Sequence, residues 1–154
     1  MSKKIKIYTD GSSIGNPGPG GYGIVMLSED GEYKKEFSQG FMITTNNRME
    51  LLAVIVSLEK LKFKNCTVTI YTDSKYVTDA VEKGWLFDWV KKDFKNKKNP
   101  DLWRRFLKIY KNHKVKFQWI KGHNNDFYNE RCDFLANLAA KNSNLLEDKG
   151  YTLN

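Results

Sequence analysis

The tetrapeptide Ile-Tyr-Thr-Asp occurs twice in this chain, at residues 7–10 and again at residues 70–73. Each copy closes a run of alternating apolar and polar residues, a pattern that predicts a half-buried strand. Two strands would therefore end on the same acidic side chain, Asp10 in one and Asp73 in the other. Neighbouring strands lie about 4.8 Å apart, so parallel pairing of these two would bring the carboxylates within roughly 5 Å of each other.

The remaining pattern surrounds these two strands with further strands and with helices. Strands are predicted over residues 3–9, 22–28, 33–42, 67–72 and 114–120. Helices are predicted over residues 48–62, 74–83, 101–112 and 129–141, and a glycine- and proline-rich loop over residues 11–21. A strand meander followed by strand–helix–strand crossovers predicts a mixed α/β sheet covered by helices. In such sheets, functional sites form at the carboxyl ends of strands.

The composition predicts one basic domain spanning residues 1–154. Lys and Arg total 26 against 18 Asp and Glu, and the net charge of +8 favours polyanionic partners, chiefly nucleic acid. The alternative is a soluble protein that is simply rich in lysine. No apolar stretch reaches the roughly 20 residues of a membrane span, and no signal peptide is evident, so we expect a cytoplasmic protein without a membrane partner. Cys66 and Cys132 lie outside any metal-binding motif, which argues against zinc.

The two aspartates would repel each other if both were ionised. At roughly 5 Å and an effective dielectric constant near 20, the repulsion is about 3 kcal/mol. Either one keeps a proton or a cation lies between them, and hard divalent cations such as Mg²⁺ prefer oxygen ligands. Each residue also has a simpler explanation, because Asp10 and Gly11 can form a turn, while Asp73 and Ser74 can cap the following helix.

Two further acids are candidates for the same site. Glu50 lies near the start of the first predicted helix, and Asp133 lies on the last one among apolar neighbours. Glu50 could instead complete a capping box in which Asn47 caps the helix. Asp133 could instead form a surface salt bridge with Arg131 or with a lysine, although an acid beside so many apolar residues is unusual.

Taken together, the motifs resemble a known enzyme family. The matching stretches are IYTDGSSIGNPGPGGYG (7–23), TTNNRMELLA (44–53), YTDSKYV (71–77), WIKGH (119–123), NERCDFLA (129–136) and EDKGY (147–151). In this order the chain resembles a type 1 ribonuclease H of the bacterial, single-domain kind. The resemblance implies a five-stranded mixed sheet, with three antiparallel strands followed by parallel ones and helices on both faces. It also implies an endonuclease that hydrolyses the RNA strand of RNA–DNA hybrids and leaves 3′-hydroxyl and 5′-phosphate ends.

The resemblance also assigns roles at the catalytic centre. It places two Mg²⁺ ions, for which Mn²⁺ could substitute, on four acids, with Asp10 bridging both ions and Glu50, Asp73 and Asp133 completing their coordination. The family's mobile histidine falls on His123, as a proton shuttle or an aid to product release. Without the resemblance, a histidine in such a glycine- and asparagine-rich stretch is simply a surface residue.

The resemblance further implies a surface that reads the hybrid. Asn16, Asn46 and Asn47 would contact ribose 2′-hydroxyls, the group that distinguishes RNA from DNA; turn formation and helix capping are the alternatives. Thr45 would hold a DNA phosphate, although Ile43 replaces the basic residue that the family often has nearby. Residues 83–103 match a basic protrusion that grips the DNA strand, with a tryptophan against a sugar and lysines near phosphates. These residues are Trp85, Lys91, Lys92, Lys95, Lys97 and Lys98.

Three alternative interpretations fit the sequence less well. A non-catalytic hybrid-binding module would have no reason to keep four clustered acids. A DNA nuclease or integrase-like strand-transfer enzyme would not need the amides and the lysine-rich protrusion. Residues 18–23 fit the GxGxxG dinucleotide-binding pattern, but a predicted strand follows them where that site needs a helix. The simplest assembly is a monomer without an obligate protein partner.

Overall fold

The computed structural model describes residues 3–122 and 126–151. The strands are β1 (Lys4–Ser13), β2 (Gly18–Ser28), β3 (Lys34–Thr44), β4 (Thr67–Thr72) and β5 (Lys114–Trp119). The helices are α1 (Asn46–Glu59), α2 (Lys75–Glu82), α3 (Trp85–Lys91), α4 (Pro100–Tyr110) and α5 (Phe127–Ala140). None of the helices in these described ranges is long and apolar enough to cross a membrane.

The five strands form one mixed sheet in the order β3-β2-β1-β4-β5. Strand β2 runs antiparallel to both β1 and β3, whereas β4 runs parallel to both β1 and β5. The predicted five-stranded mixed sheet is therefore confirmed. The predicted loop over residues 11–21 is wrong, because β1 continues to Ser13 and β2 already begins at Gly18.

Glycines in β2 explain how helices approach both faces of the sheet. A Cβ atom at Gly20 would lie 2.5 Å from Thr44 and 3.2 Å from Met49 of α1, whereas one at Gly21 would lie 2.7 Å from Ala136 of α5. Since successive strand residues point to opposite faces, α1 and α5 cover opposite sides. Most of the glycine-rich stretch is thus part of two strands that lie under closely packed helices, and residues 14–17 form the turn between them.

The larger core lies on the α1 side of the sheet. Every residue of α1 from Leu51 to Leu58 is buried, and Trp103 and Phe106 of α4 are fully buried beside them. Buried apolar residues of β1, β2 and β4 complete this cluster. Such extensive burial of one helix removes the amphipathic pattern, which is why α1 reads as apolar around much of its circumference.

A buried arginine joins α1 to α4 and to the segment that carries the EDKGY motif. Arg48 is 2% exposed and makes paired hydrogen bonds with both Asp101 and Asp148, at 2.7 to 3.0 Å. Asp148 also accepts a hydrogen bond from Thr44. A buried guanidinium needs this many partners because an unpaired buried charge is strongly destabilising, so the motif around residue 148 is explained by the fold.

Candidate active site

The two aspartates of the repeated tetrapeptide lie side by side. The parallel pairing of β1 with β4 matches Tyr8 with Tyr71, so Asp10 and Asp73 each follow two residues after that pair. The predicted parallel arrangement is confirmed. Asp10 does not form a turn with Gly11, because β1 continues through both residues opposite β2. Strand β1 thus pairs with β2 as far as Ser13, whereas its parallel pairing with β4 ends at Tyr8.

The residues that follow Asp73 leave its carboxylate free for the site. Ser74 caps α2 by accepting a hydrogen bond from the Val77 backbone N–H at 3.2 Å. The Trp119 indole N–H donates to the Asp73 carbonyl oxygen at 3.1 Å. A Cβ atom at Gly122 would lie 2.7 Å from the Asp73 carboxylate, so only glycine leaves that carboxylate its present position.

Glu50 enters the site from α1. The helix begins after Thr45, whose hydroxyl accepts from the Arg48 N–H at 3.3 Å, so the alternative of a capping box with Asn47 is wrong. The Glu50 carboxylate instead accepts a hydrogen bond from the Gly11 N–H. A side chain at Gly11 would overlap the α1 backbone, so this glycine is what allows β1 and Glu50 to meet.

These three acids form one cluster. Carboxylate oxygens of Asp10, Glu50 and Asp73 lie within 4.8 Å of one another, with Asp10 buried and the other two half-buried. Burial, followed by the charge of Asp73, raises the pKa of Asp10 to about 8. Burial and the charge of Asp10 likewise raise the pKa of Glu50 well above its usual range. Ionising the whole cluster is therefore unfavourable unless a cation is bound.

Asp133 lies beside Asp10 but outside the group of three. The proximity of its carboxyl group contributes to the raised pKa of Asp10, after burial and the charge of Asp73. It also accepts from the Asn137 amide at 3.2 Å, and Asn137 accepts in turn from the Ser12 hydroxyl at 3.2 Å. The alternative of a salt bridge to Arg131 is wrong, because Arg131 pairs with Glu36 at 2.7 and 2.8 Å.

The predicted 2′-hydroxyl readers meet at the start of α1. The Asn16 side chain accepts from the Asn46 backbone N–H at 3.1 Å, and the Asn46 side chain accepts from the Ser13 N–H at 2.7 Å. These bonds tie the turn between β1 and β2 to the helix. Asn16, Asn46 and Asn47 are all exposed, so their amide groups remain accessible, and Thr45 is half-buried beside them.

The basic segment contains α3, a helix that the sequence did not predict. Trp85 is 46% exposed at its start, and all five predicted lysines, at 91, 92, 95, 97 and 98, are exposed. Trp89 packs edge-on against Trp103, with ring centroids 5.8 Å apart, and so serves the packing of the helices. A groove of about 200 Å³ lies beside these residues and is lined by Trp85, Asp88, Trp89, Lys92, Lys95 and Lys97.

The segment that follows β5 carries one predicted site residue and two residues that were not predicted to belong to the site. His123 lies outside the described residues. Trp119 and Gly122 lie against Asp73. Both belong to the WIKGH stretch (119–123), which contributed to the family resemblance but for which no role of these two residues was predicted. Their place next to Asp73 follows from the parallel register of β4 and β5, in which Thr72 pairs with Trp119.

Comparison with known proteins gives a consistent result. A family model described as RNase H matches residues 2–141. Ribonuclease H of Desulforamulus reducens is 57% identical over 93% of this chain and 91% of that protein, and ribonuclease H of Trichodesmium erythraeum is 52% identical over 96% of each.

Solved structures show the same likeness. LC9-RNase H1, described as a type 1 RNase H with the type 2 active-site motif, has a TM-score of 0.82 and 30% identity over 91% of this chain and 73% of that one. LC11-RNase H1, solved in complex with an RNA/DNA hybrid, has a TM-score of 0.68 and 31% identity over 88% of this chain and 96% of that one.

Proposed function

The chain belongs to the ribonuclease H family, and we propose that it hydrolyses the RNA strand of RNA–DNA hybrids at internal positions, leaving 3′-hydroxyl and 5′-phosphate ends. The observation that carries the proposal is the convergence of Asp10, Glu50 and Asp73 within 4.8 Å, from three separate elements. The hybrid bound to one structural neighbour supports the choice of substrate.

Two Mg²⁺ ions are the proposed cofactors, with Mn²⁺ as a possible substitute, held by Asp10, Glu50, Asp73 and Asp133. The donor set fits, because all its ligand atoms are carboxylate oxygens. Burial, together with the charge of Asp73, raises the pKa of Asp10, and a divalent cation would offset both effects. When bound, such ions lower the pKa of the attacking water and neutralise charge on the departing 3′ oxygen.

The chain's own contribution is to hold the acids in place. The Gly11 N–H fixes Glu50, Asn137 fixes Asp133, and the close approach of Gly122 limits where the Asp73 carboxylate can lie. Each contact joins residues on different elements or on successive helical turns. The ligands are therefore positioned by the fold before a metal or substrate arrives, which avoids reorganisation during the reaction.

The surface on either side of the cluster fits the two strands of a hybrid. Asn16, Asn46 and Asn47 present amides that can both donate to and accept from ribose 2′-hydroxyls. Thr45 beside them, together with Trp85 and the lysines at 91, 92, 95, 97 and 98, would hold the DNA strand by phosphate and sugar contacts. His123 is proposed to move a proton or assist product release.

We propose that residues 1–154 act as one domain and as a monomer in the cytoplasm, without an obligate protein partner. The continuous sheet and the family match over residues 2–141 support the single domain. Size-exclusion chromatography with light scattering tests the monomer directly.

The decisive assay compares three end-labelled duplexes, RNA–DNA hybrid, RNA–RNA and DNA–DNA, each with Mg²⁺ and with chelator. Only the RNA strand of the hybrid should be cut, and only with the metal. The Asp73→Asn variant should lose about 100-fold or more of the rate, whereas Asp79→Asn, the same change on the nearby helix α2, should retain it. Cleavage of duplex DNA at a similar rate would favour the DNA-nuclease alternative instead.

A further inference from the structure

Besides the surface around the acid cluster, part of the sheet is exposed on the face opposite α1. Helix α5 packs over β1, β2 and β3 on this face, but side chains of β1, β4 and β5 remain accessible, being either exposed or half-exposed. We call these nine residues the open sheet face. They are Lys4, Lys6, Tyr8, Thr67, Thr69, Tyr71, Lys114, Lys116 and Gln118.

The strand register arranges the open sheet face in three rows. The first row is Lys4, Thr67 and Lys114, the second is Lys6, Thr69 and Lys116, and the third is Tyr8, Tyr71 and Gln118. From the usual strand spacing and rise, the face measures about 10 Å across the strands and about 13 Å along them. Four lysines thus flank a central column of threonines, and an aromatic row lies at one end.

The charge of this face is of one sign. None of the nine residues is acidic, and Lys4 has only a loose ion pair with Glu29 at 3.9 Å. Within the described ranges, Lys6, Lys114 and Lys116 form no ion pair. Lysines on β5 could simply protect an edge strand from pairing with other chains. That explanation does not extend to Lys4 and Lys6, because β1 is the central strand of the sheet.

The aromatic row lies directly next to the acid cluster. Tyr8 and Tyr71 stack with ring centroids 4.6 Å apart and planes 12° apart, and Tyr128 lies against Tyr8 at 5.1 Å. Asp10 and Asp73 follow two residues after the stacked pair. Beyond Tyr71 in the same row comes Gln118, an amide that can bond to the edge of a base.

From this arrangement we infer that the open sheet face binds single-stranded nucleic acid, as an unpaired extension of a strand that continues out of the active site. Lysine rows suit a phosphate backbone, and the face of Tyr71 that Tyr8 does not cover can stack on an unpaired base. An acidic peptide or an anionic lipid surface would use the lysines but not an aromatic row beside a nuclease centre. The inference rests on the proposed function in taking the polyanion to be nucleic acid.

The test measures binding of the full chain to a fluorescein-labelled single-stranded DNA of about 16 nucleotides, by anisotropy in chelator. The double variant Lys6→Ser/Lys116→Ser should bind about tenfold more weakly, and its salt dependence should fall by about 1.4, or 0.7 for each lost phosphate contact. Tyr71→Leu, which keeps apolar bulk, should weaken binding about fivefold or more. The matched control Lys108→Ser/Lys111→Ser removes equal charge from exposed positions in and just after α4 and should change affinity by about twofold at most.

Three results would overturn the inference. The unsubstituted chain could fail to bind the oligonucleotide, the two lysine pairs could have equal effects, or poly-glutamate could compete as well as DNA of equal charge. Because binding is measured without metal, these outcomes are independent of hybrid cleavage. A failure of the proposed function would appear separately, as an unsubstituted chain that leaves a blunt-ended hybrid uncut in Mg²⁺.

Discussion

Replacing Asp10 with asparagine should stabilise the metal-free protein while removing its activity. Carboxylate oxygens of Asp10, Glu50 and Asp73 lie within 4.8 Å of one another, and two charges at that distance repel by about 3.5 kcal/mol at an effective dielectric constant near 20. Proton uptake relieves part of this cost, since the pKa of Asp10 is raised to about 8. We therefore expect a gain of about 1 to 3 kcal/mol in the free energy of unfolding, or a rise in Tm of roughly 3 to 10 °C.

The assay is thermal unfolding of both proteins in chelator and in Mg²⁺, with hybrid cleavage measured in parallel. The advantage of Asp10→Asn should shrink in Mg²⁺, because the metal stabilises the unsubstituted cluster, and its turnover should fall about 100-fold or more. The control Asp79→Asn breaks an ion pair with Lys83 at 3.7 Å and should cost a few tenths of a kcal/mol. An Asp10→Asn protein less stable than the unsubstituted one in chelator would refute the crowding argument.

Three further outcomes follow from the same structure. First, the metal-free protein should lose stability as the pH rises from about 4 to about 8, because folded Asp10, with its pKa raised to about 8, holds a proton that the unfolded chain has released. Stabilisation by Mg²⁺, measured by differential scanning fluorimetry, should accordingly be larger at pH 8 than at pH 6. Second, hybrid affinity should fall steeply with salt, and Lys95→Ser/Lys97→Ser should lower the slope by about 1.8; an unchanged slope in a filter-binding titration would remove these lysines from the interface. Third, Trp85→Ala should raise KM more than it lowers kcat, since Trp85 is proposed to contact substrate away from the acids; steady-state kinetics showing the reverse split would place it elsewhere.

The repeated tetrapeptide was enough to predict where the site lies. Alternation before Asp10 and Asp73 identified two strands, and the supposition that they are parallel neighbours is confirmed by the register of Tyr8 with Tyr71. The extension of β1 to Ser13 was not predictable from the same pattern. It depends on Gly20 and Gly21 allowing two helices to approach, which is a tertiary requirement that a local window of sequence does not contain.

Local rules misassigned residues whose partners are distant in sequence. The capping rules offered Asn47 with Glu50 as an alternative, but Thr45 caps the helix and Glu50 bonds to Gly11, 39 residues away. Helix α3 was missed because it has seven residues and begins after a left-handed Gly84 without a side-chain cap. Short elements of this kind are stabilised by tertiary packing rather than by their own propensity.

The central claim is that the acid cluster binds divalent metal for hybrid cleavage. It is tested most directly by anomalous diffraction from crystals soaked in Mn²⁺, under buffer conditions in which the same preparation cuts a hybrid. We predict at least one anomalous peak about 2.0 to 2.3 Å from an Asp10 oxygen, with Glu50 or Asp73 as a second ligand. An active preparation whose crystals show Mn²⁺ bound only elsewhere on the protein would contradict the account.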